Sequence, residues 1–491
     1  MNVIYSLSVM PEWIQIARNM QEREDWNPIL WLSTDTLIPQ ICEYFPQCKV
    51  EEYMSGNRGE FQHFNAENFF NSLDEEKIRL HFKTEKTVLK MMDRMDPTQK
   101  NFTYTERSTL YYKLLTYWTY IFDTHQVDCV LFNETPHFPF DYVLYAMAKE
   151  RGVKILRFSP THMHSRVLLA GEVEKTPAYL EAIDINQKPT QEIAEYMNRL
   201  AGDYSKAVPF YMKNITDKSF SLQKLTTFLR QGWRYLYAAP NSPLKGKESF
   251  VNEMRLPGLY LGYYRLVGNL YKKRLQKKYS TLSVDVDLKQ NYIYMPLHYQ
   301  PEKTTCPEGG VFVDQYLVVA MISKALPKGW KVYVKEHVSQ FSTKLYGERG
   351  RSAIFYDQLL ALGNVELVSL SYQSFDLIDN AKAVATVTGT SALEAINRGH
   401  VALIFGNVWF QSCEGIIFVS TKKDILEALK KIEHGYEPSK EKIEAFFALI
   451  DNHSVKAYTA PGPNKELSGL ESKENIENLT KLLQTYAEGT V

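Results

Sequence analysis

The stretch Thr386-Val387-Thr388-Gly389-Thr390-Ser391-Ala392-Leu393-Glu394-Ala395, continued by Arg398-Gly399-His400-Val401-Ala402-Leu403-Ile404-Phe405-Gly406, decides how this chain folds. It reads as a buried strand, a hydroxyl-rich turn, a short helix and a second apolar strand. That succession is the repeating unit of a parallel sheet. Two threonines, a glycine and a serine stand where the helix begins. Free N–H groups and the positive end of a helix dipole favour an anion there. Thr388, Gly389, Thr390 and Ser391 are therefore candidate phosphate ligands, with Gly389 letting the backbone approach closely. Simple capping of the helix is the structural alternative, and the two roles are compatible. Glu394 lies three residues beyond Ser391, placed as a capping-box partner or as a ligand for a sugar hydroxyl.

Outward from this turn, two more strands end in polar residues. Trp330-Lys331-Val332-Tyr333-Val334-Lys335-Glu336-His337 is apolar until its charged end. Lys335 and His337 fall on one face, two residues apart. A cation and an imidazole there can neutralise a phosphate and steady a leaving nucleotide. A surface lysine beside a hydrogen-bonded histidine is the alternative. Tyr292-Ile293-Tyr294-Met295-Pro296-Leu297-His298-Tyr299-Gln300-Pro301-Glu302 likewise runs from a buried strand into a polar loop. Gln300 and Glu302 are candidate sugar or acceptor contacts, since loops on a rigid scaffold carry binding residues. Glu302 could instead pair with Lys303 or Lys335. Ligands of open parallel sheets bind outside the carboxyl ends of the strands, so three strand ends are expected to meet at one crevice.

The chain has 491 residues, enough for two or three domains. Lys+Arg and Asp+Glu both number 57, so the balance offers nucleic acid no attraction. Cys42, Cys48, Cys129, Cys306 and Cys413 lack metal-site spacing and read as free thiols of a reducing compartment. The chain opens on a strand, Asn2 to Leu7, without signal-peptide regions. No segment reaches the roughly 20 apolar residues of a spanning helix. A cytoplasmic protein is expected, with association at the inner membrane surface left open.

The first half opens as α/β: a strand at Asn2–Leu7, a helix at Pro11–Arg23 and a strand at Pro28–Ser33. A largely helical stretch over 60–122 follows. Val127–Asn133, Asp141–Arg151 and Val153–Phe158 form a strand–helix–strand unit. Residues 172–285 break this rhythm, with helical patterns at Gln191–Leu200 and Gln223–Tyr237. Between Phe228 and Tyr279 eleven Lys/Arg face two Glu, with ten aromatic residues interleaved. Such a segment suits anionic lipid or an anionic glycan, or is a solvated linker whose aromatics pack on the sheet. Alternation resumes with strands at 291–297, 330–336, 364–369, 383–388, 400–406 and 415–420, and helices at 314–325 and 391–398. Two amphipathic helices close the chain, near 440–451 and 472–486. The expected plan is 1–171 as an α/β lobe, 172–285 as a helical segment, 286–435 as a second α/β lobe, and 436–491 as C-terminal helices. Two lobes with a cleft suit a reaction between a bound donor and a separate acceptor.

Leu297-His298-Tyr299-Gln300-Pro301-Glu302-Lys303-Thr304-Thr305, Gly309-Gly310-Val311-Phe312-Val313-Asp314-Gln315, Lys335-Glu336-His337 and the Thr388–Ser391 turn with Glu394 together resemble the capsule polysaccharide biosynthesis family. That family groups with bacterial surface-glycan glycosyltransferases, including those that transfer 3-deoxy-manno-octulosonic acid (Kdo). The likeness extends over about 290–420, and loosely to Asn133-Glu134-Thr135-Pro136-His137. It implies a GT-B-like fold of two Rossmann-like lobes, the second holding a nucleotide sugar. It also implies a sugar donor as substrate, a CMP-Kdo-like acid first, and no further cofactor. The acceptor would be a capsular or lipopolysaccharide-type glycan or glycolipid. Related transferases carry a His-Pro motif, whereas here Val338 follows His337.

The resemblance puts the acceptor on the N-terminal lobe. Glycosyl transfer needs a base for the acceptor hydroxyl, or a carboxylate nucleophile. Glu134 and His137, just after the Val127–Asn133 strand, are the candidates. Asp141 is an acceptor contact or a helix N-terminal charge. His162, His164 and Arg166 could hold an anion. Two histidines without a third ligand do not make a metal site, and Asp285-Val286-Asp287 reads as a solvated turn, so no metal is expected. A CDP-polyol phosphate transferase and a non-catalytic glycan-binding scaffold of an export complex are the rival readings.

Overall fold

The computed structural model describes residues 1–202 and 258–487, apart from positions 8, 72, 97, 100, 101, 162 and 164. The helix expected at Gln223–Tyr237, the part of the basic segment before residue 258, His162 and His164 all lie outside the described residues. The chain divides into two compact units. The first comprises 1–91, 104–196 and 444–491, and the second 92–103 and 197–443.

The first unit is built on a seven-stranded sheet. Its strands are β1 (Asn2–Ser6), β2 (Asn27–Ser33), β3 (Lys49–Glu52), β4 (Cys129–Phe132), β5 (Lys154–Pro160), β6 (Arg166–Ala170) and, far along the chain, β13 (Val455–Lys456). They lie in the order β13-β6-β5-β4-β1-β2-β3. The five strands from β5 to β3 are mutually parallel, while β6 runs antiparallel to β5 and β13 antiparallel to β6. The parallel part thus follows the order 3-2-1-4-5 of a Rossmann half. Its central strand β4 is apolar and all four of its residues are buried, as a sheet covered on both faces requires.

The second unit repeats the plan. β7 (Tyr292–Pro296), β8 (Lys331–Lys335), β9 (Val365–Leu367), β10 (Ala383–Thr386), β11 (Val401–Ile404) and β12 (Ile416–Phe418) form a six-stranded sheet. Its order, β9-β8-β7-β10-β11-β12, is wholly parallel. Counted within the unit this is 3-2-1-4-5-6, the doubly wound order. Helices such as Gln315–Ala325, Ala353–Leu360 and Lys422–Glu433 cover it with Val318, Val319, Ile322, Tyr356, Leu359, Ile425 and Leu429. The α/β expectation with two Rossmann-like lobes is met, and each expected strand in 291–420 is present within a few residues.

The two helices expected near 440–451 and 472–486 are present at Lys440–His453 and Ser472–Ala487, and residues 444–491 belong to the first unit. β13 pairs with β6, and the helix Ser472–Ala487 brings Leu479, Leu482 and Leu483 into the core that holds Trp13, Ile16 and Met20 of the helix Glu12–Glu24. An apolar stripe shows in sequence that a helix must pack, without naming its partner. The junction is also polar: Glu12 accepts hydrogen bonds from Tyr458 Oη and Ser472 Oγ, both at 2.8 Å, and from Lys465 Nζ at 3.3 Å. Glu12→Ala should therefore destabilise the first unit by roughly 2 kcal/mol, the scale of hydrogen bonds to a charged group. An unmoved urea midpoint would mean that apolar packing alone holds the returning tail.

Candidate active site

In the second sheet the chain reverses its spatial walk between β7 and β10, and a crevice outside the carboxyl ends of the strands opens at such a point. Every candidate phosphate ligand lies there. Lys335 is the last residue of β8 and His337 follows it by two, while the Thr388–Ser391 turn leaves β10 and opens the helix Ser391–Asn397.

The turn is fastened from within. Thr386 Oγ1 accepts the Gly389 N–H at 3.1 Å, and His298 Nε2 accepts the Thr388 N–H at 3.2 Å and lies 3.0 Å from Thr386 Oγ1. Thr388 Oγ1 donates to the Thr304 carbonyl at 2.6 Å. A Cβ on Gly389 would stand 2.6 Å from Thr386 Oγ1 and 3.5 Å from the His298 ring. A side chain at 389 would therefore crowd the turn's own closure on protein. With two N–H groups spent internally, those of Thr390 and Ser391 remain at the head of the helix. Ser391 Oγ is buried without a hydrogen-bond partner among the described residues.

His298 must be neutral to accept at Nε2, with its proton on Nδ1. Burial pushes its pKa down to about 3, and His337 and Arg351 push the same way. His337 is neutral for a similar reason. Its Nδ1 accepts the Ser339 N–H at 3.2 Å, and burial first, then Arg351 and Lys335, hold it below the ordinary range against the pull of Glu336. Its Nε2–H is then a neutral donor instead of a cation.

Lys335 supplies the positive charge. Burial lowers its pKa to about 8, against Asp376 and Glu394, which favour the charged form; Nζ donates to the Tyr372 carbonyl at 2.6 Å. Burial raises Glu394 to about 7, opposed by Arg398 and then Lys335. The Glu394 carboxylate makes no hydrogen bond to the described residues, and the charges of Arg398 and Lys335 both act on it.

Behind these groups lies a buried ion pair that sequence inspection did not reveal. Arg351 Nε donates to Glu336 Oε2 at 2.8 Å and its Nη2 to Glu336 Oε1 at 3.2 Å and to the His298 carbonyl at 3.1 Å. Tyr356 Oη donates to Glu336 Oε2 at 2.8 Å. Arg351 sits in a loop of no regular pattern, so only its charge marked it. His298 did carry a signal, as the first polar residue after a buried strand.

The loop candidates Gln300 and Glu302 are both hydrogen-bonded within the second unit. Gln300 Nε2 donates to the Val313 carbonyl at 2.8 Å, its own N–H donates to Gln340 Oε1 at 2.9 Å, and its carbonyl accepts from Gln340 Nε2 at 3.0 Å. Glu302 Oε2 accepts from Thr304 Oγ1 at 2.7 Å, and burial raises its pKa.

In the first unit, Glu134 and His137 stand beyond β4, beside β1, at that sheet's own switch point. His137 Nδ1 lies 2.9 Å from the Thr135 carbonyl and so donates, which makes Nε2 the basic nitrogen; Glu134 Oε1 is 3.9 Å from Nδ1. Asp141 is structural. It accepts the Phe138 N–H and the Tyr53 hydroxyl, each at 2.9 Å, and burial pushes its carboxyl up to about 7. Arg166 is engaged by Asp451 at 2.6 Å. Among the described residues, no group of three or more His, Cys, Asp or Glu could hold a metal ion, and no helix is long and apolar enough to cross a membrane.

No protein-family model and no curated protein matches the chain. Solved structures similar to it include KpsC of Thermosulfurimonas dismutans, a β-Kdo 2,7 transferase, at 9% identity over 98% of this chain and 99% of that one, with a TM-score of 0.32. UDP-GlcNAc 2-epimerase of Methanocaldococcus jannaschii is 12% identical over 92% and 98%, at 0.25. The calicheamicin glycosyltransferase CalG4 is 10% identical over 98% of each chain, at 0.22. At scores this low the likeness decides nothing, and the fold rests on the strand order itself.

The neutrality of His298 gives a pH test. Its folded pKa lies below the unfolded value near 6.5, so the unfolded chain binds the extra proton. Its contribution is full above about pH 6.5 and is lost as pH falls toward 3. His298→Gln, whose amide oxygen can still accept the Thr388 N–H, should flatten the acid side of the stability profile, measured by urea unfolding from pH 7 to 4. An unchanged slope would mean that His298 carries a proton in the folded protein.

Proposed function

We propose that this chain is a glycosyltransferase that takes a sugar from a nucleotide donor and adds it to a capsular or lipopolysaccharide-type glycan. The observation that supports it most is the meeting of Lys335, the His337 donor, unpartnered Ser391 Oγ and Glu394 at the switch point of a doubly wound sheet. An anion and a set of hydroxyls satisfy this arrangement together. A phosphate would take the Lys335 ammonium, the His337 Nε2–H and the Thr390 and Ser391 N–H groups. Ribose or sugar hydroxyls would donate to Glu394. Charge that develops on the departing phosphate would be met by groups already in place.

For the transfer, the new bond joins the acceptor oxygen to the anomeric carbon as the bond from that carbon to the phosphate oxygen breaks. His137 Nε2 or Glu134 would remove the acceptor proton. The donor proposed first is a CMP-activated Kdo-like acid, on the resemblance of the quoted motifs, with no cofactor. The acceptor proposed is a glycan or glycolipid, and the place of work the inner face of the cytoplasmic membrane.

A thermal-shift screen against CMP, CDP, UDP and GDP and their sugar conjugates tests the donor, because a ligand of the folded state raises the midpoint. We expect CMP to shift it and Lys335→Met to abolish the shift. Above about pH 8 affinity should fall, toward tenfold per pH unit, as free Lys335 loses its proton. A pH-independent affinity, or no shift with any nucleotide, would sink this reading of the crevice.

Glu134→Gln and His137→Ala separate transferase from scaffold. The base among them should cost about 10²–10⁴-fold in turnover with folding intact. If neither variant slows transfer, the base lies elsewhere.

A further inference from the structure

The helix Gly258–Leu282 carries six basic residues and no acidic one. One of its faces is fixed to the second unit. Lys272 is fully buried, with Nζ 2.7 Å from the Ser342 carbonyl and 3.1 Å from Glu348 Oε2. A Cβ on Gly268 would lie 2.7 Å from Glu348 Oε1, Leu275 is buried, and Tyr279 Oη donates to the Val368 carbonyl at 2.6 Å. Arg265 donates to the carbonyls of Thr343 and Leu345, and Lys278 pairs with Asp357. These six anchors leave no freedom in how the helix is rotated.

The opposite face is therefore presented outward by construction. At 3.6 residues per turn, positions 263, 266, 267, 270, 273, 274 and 277 form one stripe. Its first half is apolar and open: Tyr263 and Leu266 are each 60% exposed, Leu270 49% and Val267 43%. Its second half is cationic, since Lys273, Arg274 and Lys277 are all exposed. Four large apolar side chains in adjoining turns exceed the scattered exposure of an ordinary surface. Three aligned cations without a neighbouring carboxylate on the helix call for an anionic partner, and they oppose packing against a second, identical stripe.

From this we infer that the stripe Tyr263–Lys277 is a docking face for an anionic lipid surface, with Tyr263, Leu266, Val267 and Leu270 entering the headgroup boundary and Lys273, Arg274 and Lys277 meeting lipid phosphates. An interfacial helix binds by this combination of apolar area and cationic attraction. The face is separate from the crevice at β7 and β10, and the inference does not depend on what that crevice binds. Of the six basic residues on this helix, Lys272, Arg265 and Lys278 are engaged by protein, which leaves Lys273, Arg274 and Lys277 for lipid.

Flotation of the full chain with vesicles of phosphatidylcholine, alone or mixed with phosphatidylglycerol, tests it. The parent protein should bind the mixed vesicles at low salt and leave the neutral ones. Each cation near an anionic surface is worth about fivefold in partitioning, so K273S/R274S/K277S should weaken binding on the order of a hundredfold. L266S/L270S should weaken it too, and neither variant should lower the thermal midpoint, because the changed side chains are exposed. Equal binding by the parent and both variants, or no binding by the parent, overturns the proposal. A parent that dimerises in light scattering, with L266S/L270S monomeric and vesicles unbound, would make the face a self-association surface and overturn it as well.

Discussion

Arg351 and Glu336 are almost wholly withdrawn from water, at 2% and 0% side-chain exposure, and their two-pronged ion pair joins the end of β8 to the segment that leads into the helix Ala353–Leu360. Through its Nη2 bond to the His298 carbonyl, Arg351 also sets the histidine that closes the hydroxyl turn. A buried pair of this kind contributes little net stability against an apolar replacement, yet losing one partner costs about 3–5 kcal/mol because the other charge is stranded. Its value here is positional. Tyr356 and Arg351 fill the donors that Glu336 needs, so the three strand ends are held in one arrangement before any ligand arrives.

Around that pair the crevice is economical with charge. Two histidines stand at the ends of β7 and β8, and both are kept neutral because each accepts a backbone N–H and because burial penalises the imidazolium. Lys335 is left as the cation of the crevice, poised by burial near pH 8 and drawn toward its charged form by Glu394. An anion beside Lys335 would favour its charged form and so offset the cost of its burial. The turn itself spends two of its N–H groups on Thr386 and His298, so its rigidity and its capacity to bind are drawn from different atoms.

The first unit shows a different constraint. Its sheet is completed by residues from both ends of the chain, since β13 extends it and the last helix covers Trp13 and Met20. The polar knot at Glu12 fixes where the returning tail docks, with Tyr458, Lys465 and Ser472 converging on one carboxylate.

Much of this was legible in the residues. The apolar runs Val401–Ile404 and Ala383–Thr386 can only be strands covered on both faces, and their alternation with helices dictates a parallel sheet. Lys335, His337 and the 388–391 turn were marked by standing where such strands end. The tertiary structure alone decided the rest, because contacts between residues far apart in sequence leave no periodicity behind. It brought Arg351 to the His298 carbonyl across 53 positions, and gave Gln300 and Asp141 partners within the protein, the Val313 carbonyl for one and the Phe138 N–H and Tyr53 hydroxyl for the other. It set Gly389 close against Thr386 and returned the last forty-eight residues, 444–491, to the first unit. Local sequence determined which segments are strand, turn and helix, since propensity and burial pattern act over a few residues. Protonation states, the partner of each amphipathic face and the exposed stripe at Tyr263–Lys277 depend on desolvation and packing, which exist only once the chain has folded.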